Sequence, residues 1–475
     1  MGRSEHDPLG LRADAPVLDA YLSFLEFEPL PFTIPGHKQR TDLVGTVVRG
    51  DVPLFGGVDT MRLAAGVLAE GERRAALLWG ADVCRFSVGG STHGNQALAL
   101  AVGRPGDRVV VSRTLHRSLL LGLVLAGLQP VWVRPWLDPV SGLPGEVPVD
   151  AVRSALEQHP DARAVFLGDP SYVGGFGDLL SHAEVAHAYG VPLVVDAAWG
   201  AHFGFHPALP AHALAQGADA LVTSAHKTLP AYSQGALVLA RLDRVDRSRL
   251  DRAFEATHTT SPAGAVLASI DAARALLARD GFALLDRLVR RVAQARRQLI
   301  TAVPGLAVLD GPWVDPTRLV LLLPGTGADG YAVEAELLRR RMPLEMADRD
   351  TVVAMVTLAD DEQSIDALVE ALVAAVRGCA GQPREVRPSP AWSVDPEQVV
   401  SPREAFFAAH RTVPVEDAVG RVCAELVAPY PPGVPVLAPG ERVTAEVVES
   451  LRQARADGAR IAYAADPTLA TLQVL

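Results

Sequence analysis

Val191-Pro192-Leu193-Val194-Val195-Asp196 and Ala220-Leu221-Val222-Thr223-Ser224-Ala225-His226-Lys227 are two short apolar runs that each lead into a charged side chain. A run of this kind, rich in β-branched residues and bounded by polar ones, reads as a buried strand rather than a helix. The pattern recurs from about residue 80 to 240. Candidate strands Val83 to Val88, Arg108 to Ser112, Ala164 to Leu167, Pro192 to Val195 and Ala220 to Thr223 alternate there with amphipathic stretches. Strands joined by helices predict a parallel α/β sheet, and in such sheets ligands sit beyond the carboxyl ends of the strands. Asp196 and Lys227 are therefore both expected at the ligand edge of one sheet.

The rest of the chain extends this plan. With 475 residues, 49% hydrophobic and 21% charged, it has the composition of a globular protein of two or three domains. A long amphipathic segment, Gly264 to Ala302, leads into Leu306 to Asp310 and Arg318 to Leu323. The order strand, strand, helix, strand through Ala374 predicts a smaller α/β layer. Pro383, Pro388, Pro390, Pro396 and Pro402 among polar residues read as a linker. The expected organisation is an amino-terminal arm (1–45), a large domain (46–300), a small α/β domain (301–380), a linker (381–402) and a last α+β unit (403–475).

Composition also excludes function classes. A net charge of -11 disfavours nucleic acid as a partner and is compatible with a cationic substrate. Cys84, Cys379 and Cys423 are far apart with no C-x-x-C spacing, so neither a disulfide framework nor a zinc site is expected. No signal-peptide pattern or membrane span is read, which makes a cytoplasmic location the expectation.

Three further features carry chemistry. Val83 to Val88 runs into Gly89-Gly90-Ser91-Thr92-His93-Gly94-Asn95 and then a helix, so free N–H groups and the helix dipole make an anion site beside the Ser91 and Thr92 hydroxyls. A glycine turn with a capping hydroxyl gives the same pattern, and the spacing matches neither the dinucleotide fingerprint nor the P-loop, which disfavours NAD and ATP. Asp196 at a strand end can hold a pyridinium nitrogen protonated. Lys227, among small residues after a strand, is a partly desolvated amine suited to attack an aldehyde. His116, after Arg113-Thr114-Leu115, could stack on a ring. Each residue taken alone has a commoner role as a cap or a surface group. Together they point to a pyridoxal phosphate (PLP) anchor, with Ser224 able to reach the same phosphate as Ser91.

The residues resemble the short-form bacterial ornithine/lysine/arginine decarboxylases, a PLP fold type I family of aspartate-aminotransferase-like architecture. The resemblance runs through Pro35-Gly36-His37-Lys38, Gly90 to Asn95, Arg113 to Ser118, Asp196 to Phe205, Ser224 to Ala231 and Thr260-Ser261-Pro262. It continues through Pro402-Arg403-Glu404-Ala405-Phe406 and Pro429 to Pro435. It implies a large domain with a mostly parallel seven-stranded sheet, a small α/β domain and a carboxy-terminal α+β domain.

By this resemblance Lys227 holds PLP covalently, Asp196 pairs with the pyridine nitrogen and His116 stacks on the ring. Gly90, Ser91, Thr92 and Ser224 hold the phosphate, His226 sits beside the reacting centre, and Thr260 and Ser261 reach the phosphate from a neighbouring subunit. A homodimer with sites at the interface is the implied assembly. The implied reaction is decarboxylation of arginine, lysine or ornithine to the amine and CO2. The proton returns from Lys227 or His226. His37, Asp59, Glu345 and Glu425 are candidates to recognise the substrate, while Arg349 and Arg403 carry no assigned role.

Trp199 stands where many short relatives have histidine, and Ala197 stands where they have an acid. Asp169-Pro170-Ser171-Tyr172 replaces a more usual Ser-Pro-Thr-Tyr. These departures keep open another fold type I reaction, such as transamination, aldol cleavage or oxidative decarboxylation. A catalytically retired homologue is the remaining alternative.

Overall fold

The computed structural model describes residues 7–27, 32–48, 50–52, 66–389, 394–430 and 433–475. Seven strands form the central sheet: β1 (Val83–Ser87), β2 (Arg108–Ser112), β3 (Gln129–Val133), β4 (Val165–Gly168), β5 (Leu193–Asp196), β6 (Ala220–Ser224) and β7 (Ala236–Ala240). Their order is β1-β7-β6-β5-β4-β2-β3. The β2–β3, β2–β4, β4–β5 and β5–β6 pairs are parallel, whereas β7 runs antiparallel to both β1 and β6. The five strands read from the sequence are present within a residue or so at their ends. The other two escape strand–helix alternation for different reasons. Strand β3 lies at the sheet edge, contains Pro130 and is half-exposed along most of its length, and β7 follows β6 with only one short helix, Ala225–Thr228, between them.

Burial on both faces explains the uniformly apolar strands. Leu193, Val194 and Val195 are buried, as are Leu221 and Val222 on the neighbouring strand. Burying each such side chain stabilises the fold by about 1.5–3 kcal/mol. The helix Gly90–Val102 settles directly on β6 because Gly94 has no side chain, and a Cβ there would come within 2.4 Å of Val222 Cγ2. That close approach brings the first turn of the helix to the carboxyl edge of β6.

The helix Gly264–Ala302, 39 residues long, connects this sheet to a smaller one. The small sheet is antiparallel throughout, in the order β10-β11-β9-β8, with β8 (Ala307–Val308), β9 (Leu319–Leu322), β10 (Met346–Ala347) and β11 (Thr351–Ala354). The expected third strand is thus a hairpin of two short ones.

The last unit has two further strand pairs, β12 (Arg411–Pro414) with β15 (Thr471–Val474) and β13 (Ala428–Tyr430) with β14 (Arg460–Ala462). Its core includes Val394, eight residues before Pro402, so part of the stretch read as linker packs with the last unit. Ser401 caps the helix Pro402–Phe407 in a capping box with Glu404, which fixes where that helix begins. Buried Arg113, just past β2, clasps buried Glu441 of the last unit at 2.5 and 2.9 Å. That pair ties the last unit to the ligand edge of the large sheet. No helix among the described residues is long and apolar enough to cross a membrane.

Candidate active site

The carboxyl ends of β4, β5 and β6 open into a cavity of about 600 Å³. Gly90, Ser91, Thr92, His116, Asp196, Trp199, Ser224, His226 and Lys227, all singled out in the sequence, line it. Sequence position does not explain this convergence; the parallel topology does, because β5 and β6 are neighbours and end at the same edge.

One side of the cavity has donors that can accommodate an anion. The Gly90 N–H donates to the Gln234 carbonyl at 2.8 Å, which anchors the turn before the helix. Gly90 has φ +67, a conformation that any side chain would strain. Ser91 Oγ and Ser224 Oγ lie 2.7 Å apart, so the first turn of the helix and the end of β6 present paired hydroxyls. First-turn N–H groups have no partner within their own helix, and the dipole there favours negative charge.

Across the cavity Asp196 is fixed by its neighbours. Its Oδ2 accepts from Asn95 Nδ2 at 2.7 Å and its Oδ1 from the Ala198 N–H at 3.2 Å. The second amide hydrogen of Asn95 goes to Ser118 Oγ at 2.9 Å, and Ser118 Oγ lies 2.8 Å from His116 Nδ1. His116 also caps the helix Arg117–Ala126, accepting the Ser118 N–H at 3.2 Å. The chain Asp196–Asn95–Ser118–His116 therefore locks the carboxylate and the imidazole in one network. The His116 residue is exposed and lines the cavity. Desolvation pulls its pKa down, Asp196 opposes that shift and Lys227 adds to it.

Lys227 sits in the short helix Ala225–Thr228, with its Nζ 4.0 Å from the centroid of the Trp199 ring. Desolvation lowers its pKa, against the pull of Asp196 and Glu345 and with the help of Arg318. The amine is thus biased toward its nucleophilic form. His226 Nδ1 is committed to the Gly235 carbonyl at 2.8 Å, which leaves Nε2 as the ring nitrogen available for chemistry. Burial also lowers the His226 pKa.

The outer wall comes from the small domain and from Tyr172. Tyr172 OH donates to Glu345 Oε1 at 3.1 Å, and its ring meets Trp199 edge-on at 5.1 Å. Met346 and Asp348 line the same cavity. Burial raises the Asp348 carboxyl to about 6, although its Oδ1 accepts the N–H groups of Asp350 and Thr351. A second cavity of about 340 Å³ adjoins the first across Asp348 and Ser389.

The remaining sequence candidates fall elsewhere. His37 pairs with Asp51 at 3.1 Å in the arm and does not line the cavity. Buried Glu425 spends both oxygens on the N–H groups of Gln473 and Ala465, each at 2.6 Å, and so closes loops of the last unit. Thr260 and Ser261 are exposed and do not reach the cavity of their own chain. Asp59 lies outside the described residues. The two arginines without an assigned role are committed: Arg349 to Asp350 at 2.9 Å, and Arg403 to the Val124 and Leu125 carbonyls at 3.0 and 2.9 Å.

Sequence reasoning missed Asn95, Ser118, Arg318 and Asp348. It also passed over one strong signal: of 44 basic residues only Lys38 and Lys227 are lysines. A chain that uses arginine almost everywhere else has kept, at the cavity, a side chain that can lose its proton.

Fold and site together define an enzyme of PLP fold type I. The family model for the Orn/Lys/Arg decarboxylase major domain matches residues 15–331, and that for the Orn/Lys/Arg decarboxylase C-terminal domain matches residues 388–460. An arginine decarboxylase from Halalkalibacterium halodurans is 32% identical over 100% of this chain and 99% of its own length. One from Bacillus subtilis is 29% identical, covering 94% and 95%. Among solved structures, the Francisella novicida lysine decarboxylase LdcF superposes with a TM-score of 0.82 at 18% identity, over 97% of this chain and 81% of that one. The chain belongs to the Orn/Lys/Arg decarboxylase family and is a decarboxylase of a basic amino acid.

Proposed function

We propose that the protein decarboxylates L-arginine with PLP as cofactor, releasing CO2 and agmatine. The observation that carries this reading is the convergence of Lys227, Asp196 and the Ser91–Ser224 hydroxyl pair on one cavity. The donor set suits PLP: an amine held in nucleophilic form, a fixed carboxylate for the ring nitrogen and an anion cradle for the phosphate. PLP bound there supplies the electron sink that takes up the electron pair left when CO2 departs.

The chain's own residues do the rest. Lys227 would hold the cofactor through its Nζ, and the same amine, once free, would accept the proton that the substrate amine sheds. Asp196, oriented by Asn95, would hold the pyridine nitrogen in its protonated form, and His116 would pack against the cofactor ring. The carbon that loses CO2 needs one proton, and Lys227 Nζ and His226 Nε2 are the two atoms placed to deliver it. Asp348 lines the cavity, and Glu345, three residues earlier, is held by Tyr172, which lines it too; the two carboxylates are the acidic groups assigned to the substrate guanidinium. Arginine is favoured over lysine because the relatives of similar length are arginine decarboxylases. Thr260 and Ser261 face outward as residues contributed to a neighbouring subunit would, in keeping with a homodimer.

The scarcity of lysine makes the test decisive. Borohydride reduction of the PLP-loaded protein followed by peptide mapping is expected to place the pyridoxyl group on Lys227, with Lys38 unmodified. An adduct on Lys38 alone, or none, removes the assignment.

A further inference from the structure

Trp199 has two positive groups against its ring. Lys227 Nζ lies 4.0 Å from the ring centroid and the guanidinium carbon of Arg318 lies 4.4 Å from it. Each cation is attracted to the indole, but the two repel each other, and in a desolvated site that repulsion is little screened. Arg318 is 3% exposed, and its Nε and Nη2 find no acceptor among the described residues.

Its counter-ion is largely engaged elsewhere. Arg318 Nε stands 3.8 Å from Asp315 Oδ2, which already takes His202 Nε2 at 3.1 Å, while Asp315 Oδ1 accepts from the Thr317 N–H and hydroxyl at 2.9 and 2.7 Å. Burial acts to raise Asp315, yet His202, Arg318 and Thr317 together hold it down at about 2. Gly174, at φ +88, makes room for the arginine stem, since a Cβ there would collide with Arg318 Cγ. The fold therefore retains a guanidinium with unanswered donors, which costs stability, against the indole that Lys227 also uses.

We propose that Arg318 is a positioning residue for Lys227: sharing the Trp199 ring with it, Arg318 repels the ammonium form and keeps the amine able to attack a carbonyl. The charges around Lys227 come from several elements. Burial lowers its pKa most; Asp196 at the end of β5 and Glu345 before β10 oppose that, and Arg318 before β9 reinforces it. His116, His226, Tyr172 and Asp348 are the other titratable groups lining the cavity, and both imidazoles are pushed below their usual value, by desolvation first. Neither imidazole carries the permanent charge of a guanidinium, so Arg318 is the full positive charge that offsets the two carboxylates. A lysine at 318 would conserve that charge and a methionine would remove it.

This inference rests on the reading of Lys227 as the cofactor-bearing amine, and it adds the residue that tunes that amine. Labelling with [ε-13C]lysine gives two side-chain resonances in the whole chain, assigned with Lys38→Arg, and a pH titration of the cofactor-free protein reads Lys227 directly. Arg318→Met is expected to move the Lys227 midpoint to higher pH and to slow PLP uptake at pH 7, while Arg318→Lys stays near the parent protein on both. If Arg318→Met does not fold, Arg318→Gln carries the same expectation. An unchanged midpoint in a folded charge-removing variant overturns the proposal. A Lys227 that titrates as stated in a protein that takes up no PLP overturns only the cofactor reading.

Discussion

Asn95 Nδ2 lies 2.7 Å from Asp196 Oδ2, so the carboxylate at the end of β5 is oriented by a residue from the helix that also forms the anion cradle. One helix thus serves both the phosphate end and the ring-nitrogen end of the cofactor proposed for the cavity. Asn95→Ala removes that link and frees Ser118 and His116 as well. We expect PLP affinity to fall roughly 10- to 100-fold, the usual consequence of losing a group that orients a liganding side chain. Equilibrium dialysis of PLP, with circular dichroism to verify folding, measures it.

Gly94 sets the height of the same helix above β6. In Gly94→Ala the new methyl meets Val222 and Val238, and overpacking of this kind costs about 1–3 kcal/mol. The helix must rise to relieve it, which separates Ser91 from Ser224. Lowered thermal stability together with weakened PLP retention is the expected result. A loss of stability with undiminished retention would mean that the cradle does not depend on this contact.

Much of this arrangement could be read from the chain. The apolar runs ending at Asp196 and Ser224 announce their own burial, and the glycine turn before Ser91 announces the helix start. Trp199 was visible as a departure. Arg318 was not, because its partner Trp199 lies 119 positions away and the contact depends on how the small sheet docks on the large one. Asn95 and Ser118 were hidden for a similar reason: a polar residue in a helix gives no sign of which strand end it faces. Glu425 misled because an acidic residue that binds backbone amides looks, in sequence, like one that binds a substrate.

Asp169 is a half-buried residue one strand over from Asp196, its carboxyl raised to about 7 by desolvation despite the Gly177 N–H at 2.7 Å. In the unfolded chain it ionises near pH ~4. The folded state therefore keeps a proton that the unfolded state has lost. This contribution is fully present below about pH 4, declines as pH rises and is gone above about pH 7. Asp169→Asn is neutral at every pH and lacks that slope. Melting temperatures from pH 5 to 8 should fall more steeply for the parent protein than for the variant, reflecting a difference in stability on the order of a few kcal/mol across the range. Parallel curves would show that Asp169 is ionised throughout.

The Arg113–Glu441 pair holds the last unit against the large domain from within. Removing one partner leaves the other charge buried and unpaired, so Arg113→Met or Glu441→Leu is expected to cost about 3–5 kcal/mol. The double variant Arg113→Met/Glu441→Leu should recover a good part of that loss. Denaturant titrations of the three variants give the coupling, and strictly additive losses would show that the pair is not coupled.

Removal of CO2 from a basic amino acid is the reaction proposed for this cavity. The most direct measurement supplies the purified, PLP-loaded protein with L-arginine, L-lysine or L-ornithine and quantifies CO2 and amine together. Equimolar CO2 and agmatine from arginine, at a higher kcat/KM than for lysine or ornithine and abolished in Lys227→Ala, is the predicted result. Release of ammonia, hydrogen peroxide or a keto acid in place of stoichiometric amine would contradict it.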